Sequence, residues 1–471
     1  MHYVENRTFD QVSVGDSAEL TRTVSEQDVA LFAAIVGDPG QGRPVSGPVD
    51  SSRPGTERPA FAHGLWGGLL ISSLIDNELP GPGTAYVDQS LHFRRPVGLG
   101  DTVTVRVTVR RKAPETHLLT LDCMVRDAAG EIVIDGEAVV RAPAQRIRRP
   151  RALPPDAPVR PRGSRYDQLI ASTRGLPPIR TAVVHPCDAA SLAGALDGMA
   201  EGLIVPVLVG PRAKIEAAAA AAGRDLAGVE LVAAPHSHAA AEQAVALARA
   251  GQVEALMKGS LHTDEVMAPV IDRADGLRTE RRMSHVFVFD VSTYPKPLLI
   301  SDAAINIAPD LDDKRDIVQN AIDLAHALGI ALPKVAILSA VETVYSKIAS
   351  TVEAAALCKM ADRGQITGGL LDGPLAFDNA ISKQAAEAKQ IRSLVAGDAD
   401  ILIVPDLEAG NMLAKQLIYM AGADSAGIVL GARVPIMLTS RADGTLARLA
   451  SCALAQRLVH HRLMAAGTPA Q

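Results

Sequence analysis

Large rings are scarce in this chain of 471 residues: one Trp, six Tyr and seven Phe make up 3% of it. With nearly half the residues apolar, that is the composition of an Ala/Val/Leu-rich α/β core. Cysteine is also sparse. Cys123, Cys187, Cys358 and Cys452 are scattered with no C-x-x-C pair, which argues against a disulfide frame or a zinc site and for free thiols in a reducing compartment. No excess charge of one sign is present: 47 Lys and Arg against 53 Asp and Glu leave a net charge of -6. Nothing global therefore draws the chain to nucleic acid or to an anionic membrane. Long apolar runs are missing too, since the most apolar early stretch, 64–75, is Gly-rich and too short to span a bilayer. The start, MHYVENRTFDQ, lacks the basic-then-apolar pattern of a signal peptide. A soluble, cytoplasmic protein of about two to four domains is expected.

What is present divides in two. Residues 141–163 read RAPAQRIRRPRALPPDAPVRPRG, crowded with Pro and Arg and without an apolar period. Pro cannot feed a helix interior or a strand ladder, so residues 146–163 read as a semi-rigid tether between domains at 1–145 and 164–471. In the first domain Ser25 is placed to cap a helix running to Gly37, and a second helix, about His63 to Leu79, is apolar nearly all round. Four strand candidates follow at 84–97, 101–110, 117–125 and 131–140. Val103, Val105, Val107 and Val109 alternate with Thr104, Arg106 and Thr108. A buried helix wrapped by an antiparallel sheet is a hot-dog α+β domain.

From 164 to 460 apolar strands alternate with amphipathic helices. That pattern predicts a mostly parallel sheet covered on both faces, an α/β/α fold split into two subdomains with a cleft between them. Polar residues collect at the predicted strand ends: His185, Lys258, Ser260, Asp302, Glu342, Asp372, Asp378, Asp406, Asn411 and Lys415. Their number predicts one polar rim. Ser440 and Arg441 follow the short apolar run 434–438, and the guanidinium fork is matched to phosphate oxygens. Arg278, Arg281 and Arg282 precede a strand that opens on Ser284 and His285, a basic cluster suited to a dianion. No dense carboxylate cluster suggests a metal site.

Two resemblances attach to these segments. FAHGLWGG (61–68), LHFRRPVGLGDTVTV (91–105) and Gly37-Asp38 resemble the MaoC-type (R)-specific enoyl-CoA hydratases over most of 5–145. Such enzymes use an Asp-His pair in G-D-x-N-P-x-H. This chain keeps Asp38, then departs: no His occurs between His2 and His63, and His63 starts the buried helix, where it caps or packs. Thioester binding or oligomerisation is expected of this domain rather than hydration. The second domain resembles the phosphate acetyl/butyryltransferases, whose fold is shared with isocitrate and isopropylmalate dehydrogenases. The matching segments are LMKGSLHTDE (256–265), RRMSHVFVFD (281–290), LLISDAAINIAPD (298–310), LSAVETV (338–344), DGPLAFDNAIS (372–382), GDADILIVPDLEAGNMLAKQL (397–417) and VPIMLTSRAD (434–443).

The second resemblance implies transfer of an acyl group between phosphate and coenzyme A, with CoA as co-substrate and no bound cofactor. Ser440 would hydrogen-bond the CoA sulfur and Arg441 would hold phosphate. Lys258, Arg282, Ser284, His285, Asn411 and Lys415 are further candidates for phosphate, diphosphate or substrate contact. Asp443 and Asp378 are alternative bases, because Ala447 falls where the acetyltransferase branch keeps a carboxylate. The expected partners are acyl phosphate, CoA or acyl-CoA, and inorganic phosphate, in a homo-oligomer. Three other readings stay open: a bifunctional enzyme with a working hydratase, a metal- and nicotinamide-dependent dehydrogenase on the same fold, and a non-catalytic acyl-CoA-responsive scaffold.

Overall fold

The computed structural model describes residues 3–25, 28, 29, 31, 32, 64–150, 164–438, 444–465 and 467. The chain forms two compact units, Met1–Pro161 and Arg162–Gln471.

In the first unit a short strand β1 (Tyr3–Glu5) is followed by β2 (Ser17–Thr23) and helix α1 (Trp66–Asn77). Strands β3 (Ala85–Phe93), β4 (Thr102–Ala113), β5 (Leu118–Asp127), β6 (Ile132–Arg141) and β7 (Arg148–Pro150) complete it. β1 pairs with β7, and the other five make an antiparallel sheet in the order β2-β4-β5-β6-β3. The valines of β4 face inward and are at most 1% exposed, as their alternation requires. They pack with Trp66, Leu70, Ile71, Leu74 and Ile75 of α1, giving the hot-dog arrangement. The helix is not covered all round, however. Leu65, just before it, and Leu69 are each 52% exposed, so the described fold buries one face of an apolar helix. The helix expected from Ser25 to Gly37 is described only at Ser25, Asp28, Val29, Leu31 and Phe32, where the Ser25 hydroxyl accepts from the Asp28 N–H at 3.2 Å. Asp38 and His63 lie outside the described residues.

The second unit begins with α2 (Ser164–Ala171), β8 (Ile179–Val184), α3 (Ala189–Ala200), β9 (Ile204–Gly210) and α4 (Arg212–Ala222). Next come β10 (Glu230–Ala233), α5 (Ser237–Arg249), β11 (Ala255–Lys258) and α6 (Thr263–Ile271). The middle of the unit holds β12 (Ser284–Asp290), β13 (Leu298–Ser301), α7 (Leu311–Ala327), β14 (Lys334–Leu338) and α8 (Ala349–Asp362). It closes with β15 (Leu370–Leu375), α9 (Phe377–Ile381), α10 (Lys383–Ala388), β16 (Ile401–Ile403), α11 (Leu407–Met420), β17 (Asp424–Leu430), β18 (Ile436–Met437) and α12 (Thr445–Ala465).

One sheet of 11 strands runs through the unit in the order β10-β9-β8-β11-β18-β17-β12-β13-β16-β14-β15. Most neighbours are parallel, but β17 is antiparallel to both β18 and β12, and β12 to β13. The cause is local. Residues 291–297 and 431–435 are too few for a parallel crossover, so each returns its strand alongside in the opposite sense. β8 to β11, β18 and β12 consequently point one way, and β13 to β17 the other. The strand ends therefore fall on two opposite rims, which corrects the expectation of a single polar rim.

The two faces differ as well. One carries a continuous core from Ile179 and Leu208 through Val286 to Ile337 and Ile403, covered by α2, α3, α4, α7, α8 and α12. The other carries two separate cores. One lies under α5 and α6 around Val184, Val209 and Val266; the second lies around Phe289, Ile300 and Leu402, against α9 and α11. The centre of the sheet, β12 and β17, lies between them.

Candidate functional site

The first cluster sits where β8, β11 and β18 end. The Gly259 and Ser260 N–H groups donate to the Val184 and His185 carbonyls at 2.9 Å each, laying the end of β11 against that of β8. Only Gly fits at 259, because a Cβ there would lie 2.4 Å from the Val184 carbonyl oxygen. His185 holds a left-handed backbone, φ 54°, a conformation seldom taken by a residue with a Cβ and typical of functional sites. Its Nδ1 lies 3.0 Å from the Ser260 carbonyl oxygen. Asp188 caps α3 by accepting the Ser191 N–H at 2.7 Å. Burial pushes its carboxyl up, but the Ser191 N–H, the Ser260 and Ser191 hydroxyls and the Arg448 charge outweigh that and hold it below the usual range. Arg448, on the first turns of α12, also donates to the Ala190 carbonyl. Lys258 is buried at the end of β11. By the register of β11 on β18, the described chain reaches Leu438 beside Lys258 and resumes at Gly444, just before α12. Ser440, Arg441 and Asp443 lie outside the described residues.

The second cluster gathers at the opposite rim, where β12 starts and β13 ends. Asp302 is buried and accepts from the Ala304 and Ile305 N–H groups at 2.9 and 3.1 Å and from Asn306 Nδ2 at 2.5 Å. Burial raises its carboxyl despite these donors. Asn306 Nδ2 also donates to the Met283 carbonyl at 2.8 Å, while its Oδ1 accepts from Arg282 Nε at 2.7 Å. Arg282 is tied further by its own N–H to Asp316 at 2.9 Å and by a 3.5 Å approach of Nε to Asp313. Asn411, on α11, donates to the Ala303 carbonyl at 3.2 Å and so joins this group. Lys415, one turn on, is exposed.

Adjacent strand residues point to opposite faces, and Ser284 and His285 separate on that account. Ser284 is fully buried under α7, its hydroxyl accepting from Asn320 at 2.9 Å; it fastens β12 to α7 and faces no ligand. His285 lies on the two-core face, edge-on to Phe287 at 4.3 Å, with Nδ1 unpartnered among the described residues. Burial depresses its pKa to about 4, so the ring is neutral at ordinary pH. Gly427 makes room for it, since a Cβ there would stand 2.6 Å from Nε2.

Asp378 does not join either cluster. Its side chain is exposed at the end of the edge strand β15, where Lys389 lies 3.6 Å away and is shared with Glu342. Among the described residues no group of three or more His, Cys, Asp and Glu could hold a metal ion. Three contributors were missed from the sequence: Asp188 and Asn306, which read as ordinary cap and loop residues, and Arg448, inside a helical run. Their contacts span residues far apart in the chain.

A family model described as "Phosphate acetyl/butaryl transferase" matches residues 233–455. The phosphate acetyltransferase of Rhizobium meliloti is 64% identical over 292 residues, which is 62% of this chain and 92% of that protein. The branched-chain phosphotransacylase of Enterococcus faecalis V583 superposes with a TM-score of 0.53 at 30% identity, over 60% of this chain and 99% of that one. The R-hydratase PhaJ1 of Pseudomonas aeruginosa is similar at 38% identity and a TM-score of 0.29, over 33% of this chain and 97% of that one. The chain belongs to the phosphate acetyl/butyryltransferase family, and it is an acyltransferase with a hot-dog unit at its amino terminus.

Proposed function

We propose that the chain interconverts acyl phosphate plus CoA with acyl-CoA plus phosphate, acting on acetyl phosphate. The observation that carries this is the 64% identity to a phosphate acetyltransferase across nearly the whole of that relative. In the forward step the CoA thiol loses its proton, its sulfur bonds to the acyl carbonyl carbon, and the carbon–oxygen bond to phosphate breaks. A free thiol with a reference pKa of about 8.5 is mostly protonated at neutral pH, so the site must favour the thiolate. From the motif VPIMLTSRAD, Ser440 would hydrogen-bond the sulfur, Arg441 would neutralise the departing phosphate, and Asp443 would take the proton. Lys258 stands at the strand end nearest that segment; Arg282, His285, Asn411 and Lys415, toward the opposite rim, are the further candidates for substrate contact. Asp378, ion-paired with Lys389 at the far edge of the sheet and outside both clusters, is set aside as the alternative base.

The split core fits a two-subdomain fold of the isocitrate and isopropylmalate dehydrogenase type. The hot-dog unit would hold a thioester or pair protomers in a homo-oligomer. No described helix is long and apolar enough to cross a membrane, and a cytoplasmic location is proposed from composition.

Incubating the purified chain with CoA and acetyl, propionyl or butyryl phosphate, without added metal, is expected to raise thioester absorbance fastest with acetyl phosphate. Silence with all three removes the assignment. Ser440→Ala and Arg441→Ala are each expected to lower kcat/KM by about 100-fold or more, the scale of losing one group that stabilises developing charge. Crotonyl-CoA tests the other unit: rapid loss of the enoyl-thioester absorbance would reveal a working hydratase.

A further inference from the structure

The segment that carries Ser440 and Arg441 leaves the sheet at one end and enters α12 at the other. Its first end is set by β18, which pairs with β11 at Met437 and Met257, one residue short of Leu438 and Lys258. Its second end is Gly444, whose carbonyl accepts the Arg448 N–H at 3.3 Å. Arg448 is an unexpected residue for that place. It stands on the first turn of α12 and is 5% exposed. A cation there opposes the helix dipole, and a buried guanidinium loses its water. Both effects disfavour the placement, so stability alone does not account for it.

What the side chain does is join two elements. It donates to the Ala190 carbonyl in the first turn of α3, and its charge acts on Asp188, the cap of that helix. Asp188 in turn accepts the Ser260 hydroxyl at the end of β11. Gly194, one turn along α3 from Ala190, leaves room for the arginine stem, since a Cβ there would stand 2.8 Å from Arg448 Cδ. The contacts thus run from Met437 through Met257, Ser260, Asp188 and Arg448 to Gly444. They begin where the segment 439–443 leaves the sheet and end where it joins the helix. We propose that Arg448 is a positioning residue for acyl transfer: by tying the first turn of α12 to α3 and Asp188, it fixes the span from Leu438 to Gly444. The Ser440 hydroxyl and the Arg441 guanidinium are thereby placed at the ends of β8 and β11. This rests on the acyltransferase reading and adds to it a residue that acts through those two side chains.

Arg448→Met keeps most of the stem and removes the charge. On the intact chain it should lower kcat about 10- to 100-fold, the scale of a reacting group misplaced by about 1 Å. KM for acetyl phosphate and for CoA, measured separately, should each stay within about threefold. In a chain already carrying Ser440→Ala and Arg441→Ala the same change should cost less than about twofold, because nothing is left to position. The control is Arg457, farther along the same helix, whose Nε donates to the Ala327 carbonyl at 2.9 Å. Arg457→Met should lower the urea midpoint of the carboxy-terminal unit and leave kcat within about twofold.

Gly194→Ala is the second variant, should Arg448→Met not fold. It keeps the charge but pushes the Arg448 stem aside. It too should lower kcat with both KM values held, and should lose that effect in the Ser440→Ala, Arg441→Ala chain. Losses that multiply in that chain, or an equal fall in kcat on Arg457→Met, mark a merely structural role and overturn the proposal. So does a kcat unchanged by Arg448→Met while the parent enzyme turns over, and the acyltransferase reading then stands. If the parent enzyme makes no acyl-CoA, that reading itself fails.

Discussion

His285 shows how one residue's surroundings set its chemistry. An imidazole in water titrates near 6.5, but burial with no partner for Nδ1 lowers this one to about 4. The folded chain therefore binds fewer protons here than the unfolded chain between those values. Stability from this group is complete above pH 6.5 and is lost as pH falls toward 4. Between pH 7 and pH 5 the loss is about 2 kcal/mol. It should show as a lower urea midpoint for the carboxy-terminal unit at pH 5, and His285→Leu should flatten that particular slope. If the variant and the parent lose stability equally, the neutral buried ring is not the cause. At working pH the neutral ring carries no positive charge.

Among the elements, the end of β11 has the narrowest tolerance. A methyl at Gly259 would meet main-chain carbonyls of Val184 and His185, and neither can move without breaking the β8–β11 ladder. Gly259→Ala should cost about 1–3 kcal/mol of stability by overpacking. It should also depress transferase activity more than Gly223→Ala, at a helix end with nothing near its absent Cβ. Equal activity losses would show that the rim has no special role. A second fastening is the buried pair of Arg165, on α2, and Asp290, at the end of β12, 2.8 Å apart with both side chains at most 5% exposed. Removing one partner strands a buried charge, so Asp290→Ala should cost about 3–5 kcal/mol.

At the scale of the whole molecule, the two units have separate cores, and this makes the last prediction separable by probe. Trp66 is the chain's single tryptophan and lies in the core of the amino-terminal unit. Its fluorescence reports that unit, while most of the far-ultraviolet helical signal comes from the other. Asp290→Ala should shift the circular dichroism transition and leave the Trp66 transition in place. Residues 162–471 alone should keep kcat within about twofold of the full chain, since the matched phosphate acetyltransferase aligns over 62% of this chain and 92% of its own length. A fragment that folds but is inactive would tie transfer to the hot-dog unit.

The strand and helix periods were legible without coordinates because they depend on neighbours in the chain. Val103 to Val109 alternate in the letters as they do in the sheet, and α1 ends within a few residues of its expected bounds. The family segments were equally readable, since they are contiguous runs. The directions of β12, β13 and β17 were not, because they follow from how short loops close against strands far away in sequence. That is why the polar strand ends, counted as one rim, divide between two. Asn306 gave no signal by itself: its value lies in Asp302, Met283 and Arg282 arriving around one amide. Local pattern determined the elements and the likeness to a family, and only tertiary packing decided which side chains share a site, because contact across the sheet carries no mark in a linear period.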